Sequence, residues 1–128
     1  MSKGRLMVVA AVFASLFVVP ASDAVAKTGV AGDYRCKPYK ARNSLIASIY
    51  GVKLKSNGRY AFTYYGANGG TTSGAFSKTG NKVKFSSGPL KGKSATFHGP
   101  GGSGLFQYKA ELVFSSFIND AGKQSCRR

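Results

Sequence analysis

The segment over residues 52–64, VKLKSNGRYAFTY, constrains the fold more than any other part of the sequence. Apolar and polar residues alternate on both sides of Ser56-Asn57-Gly58, which is typical of two half-buried strands joined by a turn. Residues opposite each other in an antiparallel pair share a face, so a three-residue loop, with Val52 against Phe62, keeps the apolar face intact. A two-residue loop would mix the two faces. The sequence therefore predicts a three-residue loop with Gly58 in the left-handed conformation.

Similar alternating segments follow along the chain and predict an all-β protein. They number about eight and are separated by glycine-rich turns, which favours an antiparallel up-and-down β-barrel. A two-sheet β-sandwich is the alternative architecture. The sequence leaves open the conformation of the basic connector over residues 38–44. The predicted strands cover residues 32–37, 45–55, 58–65, 72–78, 82–86, 94–98, 105–114 and 124–127.

The same pairing argument predicts the register of the next two strands. A loop over residues 66–70 would place Tyr60 opposite Phe76 on the apolar face. A turn at Thr79-Gly80 would then place Phe76 opposite Val83. One aromatic face is thus predicted to run across four neighbouring strands.

Residues 1–26 have the layout of a cleavable secretory signal peptide. Lys3 and Arg5 supply a basic start, residues 6–19 form an uncharged apolar run, and small residues suited to cleavage follow. The run is shorter than the ~20 residues that a membrane-spanning helix needs, so no transmembrane span is expected after cleavage. We predict a signal peptide over residues 1–26 and a single β-barrel domain over residues 27–128, secreted or periplasmic.

Cys36 and Cys126 are the only two cysteines of the chain. Exported proteins meet an oxidising compartment, so this pair predicts a disulfide. The bond would join the first predicted strand to the last, which favours a closed barrel. No metal site is expected, because His98 is the only histidine, and no cofactor is predicted.

Four pieces of the chain, taken in order, resemble a group of bacterial proteins. They are GDYRC, LKSNGRYAF, GAFSKTGNKVKFSSGPLKG and the C-terminal Cys126-Arg127. The resemblance is to uncharacterised small secreted bacterial β-barrel proteins with one disulfide, which look like lipocalin- or avidin-type barrels. It covers most of the chain after residue 26. It implies a fold and an export route, and it carries over no catalytic residue.

The residues suited to catalysis are few and scattered, so no enzymatic activity is predicted. After residue 26 the carboxylates are Asp33, Glu111 and Asp120, and no two of them are expected to lie together for acid–base chemistry. His98 follows Phe97, whose side chain should point inward. His98 should therefore point outward, away from the partners that a general base requires.

Charge is the strongest signal of the composition. The chain has 19 Lys and Arg residues against 4 Asp and Glu residues, a formal net charge of +15. Outward-facing lysines commonly improve solubility and guard strand edges, but this excess is larger than solubility requires. It would attract an anionic polymer such as lipid headgroups, acidic glycans or nucleic acid. The candidate basic surface comprises Lys53, Lys55, Arg59, Lys82, Lys84, Lys91 and Lys93.

Six aromatic residues share the inward face of the predicted barrel and could line a cavity. An eight-stranded barrel is near the size at which its interior either fills with side chains or holds one small ligand. Plain core packing is the ordinary role of such rings, whereas tyrosine hydroxyls placed inside need hydrogen-bond partners. The candidate ligand-binding residues are Tyr50, Tyr60, Phe62, Tyr64, Phe76 and Phe85.

Three functional hypotheses follow, all for a monomeric, non-enzymatic binding protein. The first is a lipocalin-like binder that takes a small, partly apolar ligand in or at the barrel. The second is a cationic protein that binds an anionic polymer of the envelope or host surface. Nucleic acid is not the expected partner, since export removes the protein from it. The third is a secreted protease inhibitor that inserts residues 27–31 or the glycine-rich loop over residues 99–104.

Overall fold

The computed structural model describes residues 29–128, which form a closed antiparallel barrel of eight strands. Each strand pairs with its neighbours in sequence, and β1 pairs with β8. The predicted all-β barrel is confirmed, and the two-sheet sandwich is wrong because the first and last strands close the sheet. The predicted signal peptide, residues 1–26, lies outside the described residues, as do residues 27 and 28. The strands are β1 (Gly32–Pro38), β2 (Tyr50–Leu54), β3 (Arg59–Tyr64), β4 (Thr71–Thr79), β5 (Lys82–Phe85), β6 (Ser94–His98), β7 (Glu111–Phe114) and β8 (Gln124–Arg127).

The barrel closes where the first strand meets the last. Cys36 of β1 lies directly opposite Cys126 of β8, and the two form the predicted disulfide. Both residues are almost fully buried on the inward face. A structural disulfide is compatible with an oxidising compartment.

The first hairpin has the predicted register. Val52 lies opposite Phe62, and both side chains are buried on the inward face. Residues 56–58 form the loop, and Gly58 has a φ of 83°, the left-handed conformation that glycine adopts without strain. The alternation of apolar residues was therefore sufficient to determine this loop length.

The register between β3 and β4 differs from the prediction by two residues. Gly74, rather than Phe76, lies opposite Tyr60. A Cβ atom on Gly74 would lie 2.2 Å from the carbonyl oxygen of Ser87, so only glycine admits that oxygen. The Tyr60 hydroxyl donates to the same oxygen (2.7 Å) and accepts from the Leu90 N–H (2.9 Å). The glycine opposite Tyr60 thus allows the connection between β5 and β6 to pack into the barrel.

The turn between β4 and β5 falls one residue later than predicted. Gly80 and Asn81 form the loop, and Phe76 lies opposite Phe85 rather than Val83. Gly80 has a φ of 61°, as the first residue of a type II′ loop requires. Two aromatic rings meet as a result, since the centroids of Phe76 and Phe85 are 6.3 Å apart.

Two predicted strands are shorter in the structure, and their first halves are loops. β2 begins at Tyr50 rather than at residue 45, because its pairing with β1 ends at Cys36 and β1 itself ends at Pro38, which leaves residues 45–47 without a partner strand. β7 begins at Glu111 rather than at residue 105, because its partner β6 ends at His98, the residue opposite Glu111. Residues 39–49 and 99–110 therefore connect strands, with 3-10 turns at Tyr39–Ala41 and Gly104–Phe106. No helix within residues 29–128 is long and apolar enough to cross a membrane.

The barrel interior is filled by aromatic and aliphatic side chains. The ring centroid of Phe85 lies 4.9 Å from that of Tyr60 and 5.5 Å from that of Phe114. Phe114 continues the contact to Phe117 at 5.0 Å. Because Phe117 belongs to the connection between β7 and β8, this connection is tied to the core. The core occupies the barrel interior. The outward-facing side chains of the strands are therefore the ones that can contact the loops.

Candidate functional site

Two loops lie against the outer face of β8 and β1. Residues 39–49 are attached there because Arg127 donates from Nη1 to the Oδ1 atom of Asn43 (2.8 Å). Residues 99–110 reach the same strand, since the Arg127 guanidinium lies 4.4 Å from the centroid of the Tyr108 ring. The outward-facing side chains of β8 and β1 therefore lie between the two loops.

A groove of about 310 Å³ lies between these loops and the barrel wall. Two of its basic side chains come from β1, one from the loop over residues 39–49 and one from the end of β8. Among the described residues that line it there is no carboxylate. We call it the cationic groove. Its basic residues are Arg35, Lys37, Arg42 and Arg127, and its large apolar residues are Ile46, Leu105 and Phe106.

One basic residue of the groove is paired with a carboxylate of the neighbouring strand. Arg127 donates from Nε to the Oε2 atom of Glu111 (2.9 Å), and the Ser125 hydroxyl donates to the same oxygen (2.6 Å). Burial raises the pKa of the Glu111 carboxyl, but these hydrogen bonds and the positive charge of Arg127 outweigh it, so the pKa lies below its ordinary value. This pair is the one ion pair found within residues 29–128, so the other three basic residues give the groove a surplus of positive charge.

Neutral groups hold two of these three basic side chains in place. Lys37 donates from Nζ to the Ser44 carbonyl (2.6 Å). Arg42 donates from Nη1 to the Tyr39 carbonyl (2.7 Å), and its guanidinium lies 3.8 Å from the centroid of that ring. Such contacts position a cation without neutralising it. A guanidinium has five N–H donors, so donors remain for an anion.

The Glu111 ion pair makes stability depend on pH. Because the folded-state pKa of Glu111 is lowered, its contribution is present above the ordinary value of 4.5 and is lost as the pH falls through the folded-state pKa. We expect Glu111→Gln to lower the free energy of unfolding at pH 7 by about 1–3 kcal/mol, and to remove part of the acid destabilisation below pH 4.5. Urea unfolding between pH 3 and pH 7 measures both effects.

The matched control for this experiment is Asp33→Asn. Asp33 is an exposed carboxylate on β1, whereas Glu111 is buried. The control should change the free energy of unfolding at pH 7 by less than about 0.5 kcal/mol. Equal effects of the two substitutions would contradict a special role for the buried pair.

The six predicted ligand-binding aromatics lie on the inward face but at different depths. Four are buried in the core, and two lie at the barrel end that carries the loop between β3 and β4. The ring centroids of these two are 5.6 Å apart, and one of them is 40% exposed. Their role in ligand binding stays a prediction. The buried four are Tyr60, Phe62, Phe76 and Phe85, and the two at the end are Tyr50 and the more exposed Tyr64.

The seven predicted basic residues are spread over both ends and the wall of the barrel. Two flank the turn between β2 and β3 at one end, and two lie on the connection between β5 and β6 at the other end. Three project outward from the strands between these ends. In that order they are Lys55 and Arg59, Lys91 and Lys93, and then Lys53, Lys82 and Lys84.

None of the four basic residues of the cationic groove belongs to the basic surface that was predicted from the sequence. A signal was present in RCKPYKAR, residues 35–42, where four of eight residues are basic. Arg35 and Lys37 also flank the inward-facing Cys36, which indicates two charges on the outer wall. The presence of Arg127 in the same groove depends on the closed barrel, because this residue lies 85 positions from Arg42.

The side chains suited to acid–base chemistry lie beside the groove. His98 lies opposite Glu111 in the pairing of β6 with β7, and its side chain is exposed as predicted. The Glu111 carboxylate is held by Ser125 and Arg127 as an ion pair. Within residues 29–128 no group of three or more His, Cys, Asp and Glu side chains is placed to hold a metal ion.

The fold and the site define a small antiparallel barrel with one disulfide and a cationic groove on its outer wall. No protein-family model, curated protein or solved structure matches the chain. Its function has to be inferred from its own residues.

Proposed function

We propose that this chain is an exported, non-enzymatic binding protein that takes an anionic polymer of the envelope or host surface in the cationic groove. One observation carries the proposal. Four basic side chains from three separate parts of the chain converge on one groove whose described lining has no carboxylate. Arginine presents a planar fork of donors that matches carboxylate and phosphate groups. The groove therefore has the chemistry of an anion site.

The charge of the whole chain supports the same role. Its net charge of +15 produces a long-range field that accelerates association with an anionic surface. Salt screens this field, since the Debye length is about 8 Å at physiological ionic strength. The basic residues outside the groove thus increase the rate of encounter, and those inside it provide the specific contacts.

Two features support export. Residues 1–26 have the layout of a secretory signal peptide, and the Cys36–Cys126 disulfide suits an oxidising compartment. An exported cationic protein meets anionic lipids and glycans rather than nucleic acid.

The groove is a better candidate than the barrel interior. Tyr60 is fully buried, and its hydroxyl makes two hydrogen bonds inside the protein, to Ser87 and from Leu90. A ligand at these rings would have to displace aromatic contacts of the core, such as the 4.9 Å contact between Tyr60 and Phe85. The lipocalin-like and protease-inhibitor hypotheses stay predictions.

Neutralising the groove should weaken polymer binding far more than neutralising the opposite wall. The double variant Arg35→Gln/Lys37→Gln removes two charges from outward positions of β1. Lys82→Gln/Lys84→Gln removes two from outward positions of β5, four strands away in the barrel. With dextran sulfate as the probe, we expect the first variant to raise Kd at least about tenfold and the second less than about threefold.

Three measurements complete this test. The Kd of the wild type should rise steeply between about 0.05 and 0.5 M salt, and uncharged dextran should not bind. Circular dichroism and thermal unfolding establish that both variants are folded. Salt-insensitive binding contradicts the proposal, as does an equal loss of affinity in the two variants.

A further inference from the structure

The large apolar side chains that are exposed on the described residues belong to three short segments. Leu45 is 82% exposed and Leu105 is 85% exposed, and exposed apolar side chains indicate a contact surface where they lie together rather than singly. Both lie in the loops that border the cationic groove. The full set is Leu45, Ile46, Ile49, Tyr64, Tyr65 and Leu105.

These segments are joined around the groove rather than scattered over the barrel. Ile46 and Leu105 line the groove from opposite loops. The Tyr65 N–H donates to the Ile49 carbonyl (2.8 Å), which connects the third segment to the first. The guanidinium of Arg35 lies 5.5 Å from the centroid of the Tyr65 ring. One face of the molecule therefore combines the cationic groove with exposed apolar side chains at its border. We call these side chains the apolar rim, which comprises Leu45, Ile46, Ile49, Tyr65 and Leu105.

The opposite wall of the barrel is polar. The outward positions of β4 and β5 include Ser73, Ser77, Lys82 and Lys84, all exposed and polar. The large exposed apolar side chains of residues 29–128 thus lie in the two loops against β8 and β1 and at the neighbouring end of β3, and the wall formed by β4 and β5 is polar. Such an arrangement suits a protein that lies at an interface between water and an apolar phase.

We propose that the face formed by the cationic groove and its apolar rim docks onto a bilayer of anionic phospholipid. This inference rests on the proposed function and names the anionic surface. The basic side chains of the groove would bind headgroup phosphates, and Leu45 and Leu105 would enter the acyl boundary. A hydrated polysaccharide offers anions to the arginines but no apolar phase to the leucines, whereas a bilayer offers both.

An introduced tryptophan can report the contact with the bilayer through its fluorescence, because the natural chain contains no tryptophan. The variants are Leu45→Trp and Leu105→Trp on the rim, with Ser77→Trp on β4 as the matched control. With vesicles of phosphatidylcholine containing phosphatidylglycerol, the emission of the two rim variants should shift to shorter wavelength and be quenched by brominated acyl chains. The control should show neither change. Rim variants that bind the vesicles without a shift or quenching overturn the proposal, because they indicate adsorption without insertion.

A second variant separates this inference from the proposed function. Leu45→Gln/Leu105→Gln should lower the affinity for the anionic vesicles at least tenfold and leave the affinity for dextran sulfate within a factor of two. Vesicles of phosphatidylcholine alone should bind the wild type at least tenfold more weakly. If dextran sulfate binds through the groove but anionic vesicles do not bind, the bilayer proposal is wrong and the proposed function stands. If neither probe binds, both are wrong.

Discussion

Replacing Cys36 and Cys126 together by alanine should lower the free energy of unfolding by about 2–5 kcal/mol. The disulfide joins residues 90 positions apart. Its loss therefore removes the closure of a long loop in the unfolded chain and raises the conformational entropy of the unfolded state. In the folded state the bond lies at the closure of β1 and β8, where the backbone ladder consists of four residue pairs. Equilibrium unfolding in urea measures the loss.

Reduction of the wild type separates the cross-link from packing, because both thiol side chains then remain. Cys36 and Cys126 are buried, so the bond is reduced in denaturant and the protein is refolded with reductant present. The reduced wild type should lose most of the same free energy, and the double variant should not respond to reductant. A fully reduced wild type that is as stable as the oxidised one would mean that strand pairing alone closes the barrel.

Gly74→Ala should lower the free energy of unfolding by about 2–4 kcal/mol, although alanine adds one methyl group. Its Cβ atom would lie 2.2 Å from the Ser87 carbonyl oxygen and 2.7 Å from the Tyr60 ring. That oxygen accepts the hydrogen bond from the Tyr60 hydroxyl, so moving it also disturbs a buried polar contact. Because the space belongs to the backbone of another connection, it cannot be cleared by rotating a side chain.

The matched control is Gly70→Ala, at the residue just before β4. A Cβ atom on Gly70 would have no heavy-atom neighbour within 4 Å, so this substitution should change the free energy of unfolding by less than about 0.5 kcal/mol. Urea unfolding of the two variants side by side makes the comparison. Equal losses would indicate that backbone freedom, rather than the space at Gly74, decides the cost.

The fold was predictable where it depended on the local alternation of apolar and polar residues or on the single pair of cysteines. The register of Val52 against Phe62 followed from the alternation around residues 56–58. The pairing of Cys36 with Cys126 followed from their being the only cysteines of a chain with a signal-peptide pattern. The register of β4 could not be predicted from local alternation. Gly74 lies opposite Tyr60 because the Ser87 carbonyl, from the connection between β5 and β6, occupies the space beside it, and no local sequence pattern indicates that contact.

The candidate site was less predictable than the fold. The sequence showed a large positive charge, but it could not show which charges share one groove. Arg35 and Arg127 meet because β1 pairs with β8, and this contact joins the two ends of the chain. Leu45 and Leu105 were expected in strands, and they became rim residues because their segments lie beyond the ends of the partner strands.

The sequence by itself determined an all-β chain, its first hairpin, its cysteine pair and its excess of positive charge. These properties depend on residue type and on spacings of a few residues, which local sterics translate into structure. Only the tertiary structure decided the closure of the barrel, the registers of β4 and β5, and the convergence of four basic side chains on one groove. The physical reason is that these features arise from contacts between residues far apart in sequence, whose partners are selected by packing in three dimensions.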